Sequence, residues 1–93
     1  LGDALLVRAR VLRVADGIAA RDEIERVLAE VEVLLDRTGA RSYAPRLHLE
    51  RAELARLLGD EPRWRQELRR AQDEYRSIGA PGQADRIERE LAE

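Results

Sequence analysis

The sequence predicts an all-α fold of antiparallel helical hairpins, about two and a half repeats of 40 residues that make five helices. Three observations lead there. Apolar residues recur at helical spacing through every segment between breakers. The breakers Gly39 and Gly79 lie 40 residues apart in similar contexts, Thr38-Gly39-Ala40 and Ile78-Gly79-Ala80. Charged residues reach 39% and aromatics only 3%, so the core must be built from Leu, Val, Ile and Ala on amphipathic helices.

The first helix is expected over residues 3–15, with Asp3 as N-cap and Asp16-Gly17 as its stop. Leu5, Val7, Val11, Leu12 and Val14 share its apolar side. The second is expected over residues 20–37, where Ile24, Val27, Leu28, Val31, Leu34 and Leu35 form a stripe. Asp22, Glu23 and Glu25 complement the helix dipole at its start and Arg37 at its end, and Gly39 stands where a left-handed C-cap falls. The third begins near Ser42, because Pro45 is tolerated only in a first turn; it carries Leu47, Ala52, Leu54, Ala55 and Leu58 to Gly59-Asp60. Asp60 caps the fourth, which runs through Leu68, Ala71 and Tyr75 to Ile78. The fifth starts at Pro81-Gly82 and buries Ala84, Ile87, Leu91 and Ala92. Connections of two to four residues make neighbours antiparallel.

Sliding the chain against itself by 40 residues aligns apolar positions. Val7 falls on Leu47 and Ile87, Val14 on Leu54, Ile18 on Leu58, Ile24 on Trp64, Leu28 on Leu68, Val31 on Ala71 and Leu35 on Tyr75. Self-similarity of this length marks helical solenoids. One domain results, with repeats over residues 1–40 and 41–80 and a capping helix over 81–93. The chain begins at Leu1 without a Met, and a fragment of a larger protein is expected.

Ala52, Gly59 and Ala71 set small residues 7 and 19 positions apart. This spacing resembles the tetratricopeptide repeat, whose helices touch at small residues. The run "GARSYAPRLHLERAELARLLGD" followed by "LRRAQDEYRSIGAP" looks like the tail repeats of bacterial adenylate-cyclase-linked and helix-turn-helix-regulator-linked ATPases. Trp64 stands where the repeat expects a small residue, and His48 where it expects a large aromatic. The period of 40 exceeds the family's of about 34, which bears on superhelical pitch and not on the hairpin plan. The resemblance implies scaffolding or regulation, with enzymatic parts elsewhere in the parent protein. It also implies that the first helix of each hairpin lines a concave face. That face would display Arg13 and Asp16, then Arg46, Leu49, Glu53 and Arg56, then Arg86, Arg89 and Glu93. The family's peptide-carboxylate clamp uses Lys, Asn and Arg, and this chain has neither Lys nor Asn.

Composition argues against other classes. All 17 basic residues are Arg, as a GC-rich genome produces, yet the net charge is −2 and the signs are interspersed, unlike a nucleic-acid binder. With no Cys there is no disulfide framework, thiolate nucleophile or Cys-based zinc site. No signal peptide or apolar run near the roughly 20 residues of a membrane span is present, so a cytoplasmic location away from the membrane is expected.

No chemistry-bearing constellation stands out. His48 is the sole His and reads as a helix-surface or hairpin-contact residue. The carboxylates have Arg partners at helical spacing, such as Glu67 with Arg70, Arg69 with Asp73, and Arg86 with Glu90. Such ladders are ordinary solvated faces. Arg63, Arg65, Arg69 and Arg70 form a basic cluster that reads as solvated, with an acidic peptide or phosphate as the sharper alternative. Trp64 reads first as packing and second as an interface residue. No catalytic, metal-ligating or cofactor-binding residue is assigned, and the protein is not expected to be an enzyme.

The expected function is a protein–protein interaction or regulatory module of a larger bacterial signalling or transcription-regulatory protein. Its partner surface would comprise Arg13, Arg46, Leu49, Glu53, Arg56, Arg86 and Arg89. The alternative is a homodimerising bundle whose edge is Leu5, Leu6 and Val11, because the first helix carries more apolar residues than one packed face can hold.

Overall fold

The computed structural model describes residues 2–39 and 41–92, of which 92% are helical, with no strand among them. The side chain of Asp3, expected as an N-cap, and residues Ala40 and Glu93 lie outside the described residues. The elements are α1 (Gly2–Asp16), α2 (Arg21–Thr38), α3 (Ala44–Leu57), α4 (Glu61–Ser77) and α5 (Pro81–Ala92), with 3-10 turns at Gly17–Ala20 and Arg41–Tyr43. Helical backbone nevertheless runs in four stretches rather than five. Asp16-Gly17 does not stop the first helix outright. Gly17 takes a positive φ of 58°, and the chain continues through the 3-10 turn directly into α2.

The other boundaries have local causes. Gly39 adopts a left-handed φ of 67° and its N–H donates to the Leu35 carbonyl at 2.9 Å, satisfying an orphan acceptor at the end of α2. Pro45 sits in the first turn of α3, where a missing N–H costs nothing. Asp60 caps α4 by accepting from the Arg63 N–H at 3.1 Å.

Two apolar clusters hold the helices together, and α3 contributes to both. Leu6, Ala9, Ile24, Leu28, Leu47 and Leu54 belong to the first, which joins α1, α2 and α3. Ala52, Leu68, Ala71, Ile87 and Leu91 form the second, which joins α3, α4 and α5, with Leu49, Trp64 and Tyr75 packed against it. Burial follows the 40-residue offset only in part: Leu28 and Leu68 are both buried, as are Val31 and Ala71, but Val7 and Val14 are exposed where Leu47 and Leu54 are buried.

The buried side of α1 differs from the expected one. Leu6 and Ala9 face the core, Leu5 and Leu12 lie at its margin, and Val7, Val11 and Val14 point outward. α1 carries two apolar stripes on opposite faces, and periodicity alone does not choose between them. The stripe with Ala9 wins because a small residue lets helices approach closely. No helix among the described residues is long and apolar enough to cross a membrane.

Candidate interaction surface

The odd-numbered helices meet through ion pairs. The Arg13 guanidinium on α1 reaches Glu50 at 3.3 Å and Glu53 at 3.8 Å on α3. Arg56 near the end of α3 reaches Glu90 on α5 at 3.9 Å. Arg13 and Glu53 are thus brought together, whereas Arg56 meets a residue that helical spacing assigns to Arg86. Arg46 is exposed with its guanidinium 6.0 Å from the Tyr43 ring centroid. Leu49, expected on display, is half-buried against the second cluster. Arg86 and Arg89 are exposed on α5, and among the described residues no ion pair reaches them.

The residues expected at a self-association edge separate. Val11 is 58% exposed and Leu5 is half-buried, but Leu6 is only 2% exposed and belongs to the first core. Leu6 is therefore corrected from edge to core, since it lies on the Ala9 side of α1.

The basic cluster on α4 disperses into separate partnerships. Arg63 pairs with Glu25 at 3.7 Å, and Arg70 with Glu67 at 3.7 Å. Arg65 pairs with Glu61 at 3.2 Å, donates to the Leu91 carbonyl at 3.1 Å and lies 5.6 Å from the Trp64 ring centroid. Trp64 packs against the second cluster, and its buried Nε1 finds no hydrogen-bond partner among the described residues.

Glu67 was legible only as a member of a solvated ladder, and the structure places it inside. It is 5% exposed on α4, and His48 Nδ1–H on α3 donates to its Oε2 at 2.9 Å. Burial pushes the Glu67 carboxyl up, but the His48 hydrogen bond and the charges of His48, Arg51 and Arg70 outweigh it and hold the group below its ordinary value. A signal for this was present. Glu67 lies 40 residues after Val27, a core position, so a carboxylate in that register must find partners. Arg51, one turn beyond His48, donates to Glu32 on α2 at 2.6 Å. His48 and Glu32 line a cleft of about 420 Å³ together with Asp36, Arg41 and Glu74. Among the described residues no group of His, Asp and Glu side chains is arranged to hold a metal ion.

These surfaces carry a mixed-charge row across α1, α3 and α5, and a buried acid paired with His48 and Arg70. Comparison with known proteins finds no family model, no curated relative and no solved structure that matches this chain.

Proposed function

We propose that the chain is a non-enzymatic protein–protein interaction module, a tetratricopeptide-like array of antiparallel hairpins that serves a larger bacterial signalling or regulatory protein. The observation that carries the reading is the place of α3, whose side chains enter both cores. A helix that packs on the pair before it and the pair after it is the unit of a stacked array. The contacts of α5 support a hairpin course, since Gln72 meets Ala84 while the earlier Arg65 meets the later Leu91.

On this reading the row of α1, α3 and α5 is the partner face. Arg46, Arg86 and Arg89 supply exposed cationic side chains, while the Arg13 and Arg56 pairs hold neighbouring helices in register. Exposed guanidiniums favour a partner that carries carboxylates. Glu67 is the one buried carboxylate among the described residues; its hydrogen bond with His48 ties α4 to α3, and its pair with Arg70 lies within α4.

Selection of peptides from a random display library against the folded chain tests this. Acidic peptides are expected, with NMR shift changes confined to α1, α3 and α5, and about tenfold weaker binding after combined Arg86→Glu and Arg89→Glu substitution. Shift changes centred on α2 and α4, or binding indifferent to that charge reversal, overturn the assignment of the face.

A further inference from the structure

Val7, Val11, Val14 and Ile18 are 51%, 58%, 73% and 58% exposed. Val7, Val11 and Val14 lie on α1 at the four- and three-residue spacing of a coiled-coil seam, and Ile18 follows in the 3-10 turn beyond Gly17; all four are β-branched. At the same register, Leu47 and Leu54 of α3 are buried against the pair α1–α2, and Ile87 and Leu91 of α5 are buried in the cluster it shares with α3 and α4. Arg51 and Leu58 of α3, at the register of Val11 and Ile18, are half-buried, whereas the valines of α1 are exposed and no element among the described residues covers them.

We propose that this seam binds the same seam on a second copy of the chain, across a two-fold axis. Two features favour a second copy. The seam holds no polar side chain, so it offers a foreign partner no charge to recognise, whereas two identical β-branched ridges interdigitate. Its flanking Arg8 is already paired with Glu23 at 3.0 Å, which lowers repulsion between copies. The outer side of α5 exposes Asp85, Arg86, Glu88 and Arg89, a charged face that does not match the apolar seam, so a two-fold contact is favoured over a head-to-tail contact with α5.

The area sets the strength. Four partly exposed aliphatic side chains supply on the order of 200 Å² of apolar surface per protomer. A stable interface buries about 800 Å² per partner, so the dimer is weak and reversible. The inference goes beyond the peptide-binding reading, because it uses the side of α1 opposite its core.

Light scattering over a concentration series is the test, with helicity followed by circular dichroism. The mass of the intact chain should rise from 10.6 kDa toward twice that value as concentration approaches about 1 mM. Val11→Glu and Val14→Glu should each shift the midpoint at least tenfold while helicity is retained. Val33→Glu, at an exposed position on α2, should not. If one seam variant loses helicity, the other carries the comparison. A constant monomer mass, growth beyond two chains, or equal weakening by Val33→Glu overturns the proposal. Loss of dimerisation with acidic-peptide binding intact would separate the two surfaces.

Discussion

Replacing Glu67 by Gln probes the only strongly buried carboxylate among the described residues. The wild-type group accepts a hydrogen bond from His48 at 2.9 Å and faces Arg70 at 3.7 Å. A hydrogen bond to a charged group contributes about 1.5–3 kcal/mol, and the half-exposed Arg70 adds a few tenths after solvent screening. Gln keeps a carbonyl oxygen that can accept from His48, so the net loss near neutral pH is about 1–2 kcal/mol. For a chain of this size each kcal/mol moves Tm by about 4–8 °C, and a fall of about 5–15 °C is expected. The pH dependence sharpens the test. The folded carboxyl lies below its ordinary value of 4.5, so as pH falls the unfolded chain takes up the proton first. The contribution is therefore full above the unfolded pKa and is lost as pH drops through the lower folded value. Thermal unfolding of both proteins between pH 7 and pH 2.5 should show the gap in Tm closing toward the acid end. A gap that stays constant or widens with acid would refute the claim that Glu67 is held ionised by His48 and its Arg neighbours.

Other substitutions test the assignment of faces. Ala52→Leu forces a large side chain into the second core and should cost about 1–3 kcal/mol, whereas Ala29→Leu at an exposed position on α2 should leave Tm nearly unchanged. Leu6→Glu puts an unpaired charge into the first core and should abolish cooperative unfolding at neutral pH, while Val11→Glu on the other side of α1 should leave the circular dichroism spectrum intact. Asp60→Ala removes the acceptor for the Arg63 N–H and should lower stability by about 1 kcal/mol by urea denaturation.

Where helices form was readable in the sequence because the determinants are local. Gly39 supplies a left-handed C-cap, Pro45 fits a first turn and Asp60 bonds the backbone three residues on. The stripe on α2 and the burial of Ala84, Ile87 and Leu91 on α5 followed from spacing alone, since each of those helices has a single apolar side; Ala92, expected inside, is exposed at the end of α5. α1 has two, and only packing decided between them: Ala9 allows close approach, so Leu6 went inward and the valines were left outside. Tertiary structure likewise decided the carboxylates. On an isolated helix Glu67 has Arg70 three residues away and reads as a solvated pair, but stacking α4 on α3 sets it opposite His48. Glu90 was readable as a partner of Arg86, and it pairs instead with Arg56 across the α3–α5 contact. Helical periodicity depends on neighbours within one turn, so a sequence carries it openly. Which face is buried, and which charge meets which, depends on residues that are distant in the chain, and only the packed helices bring those together.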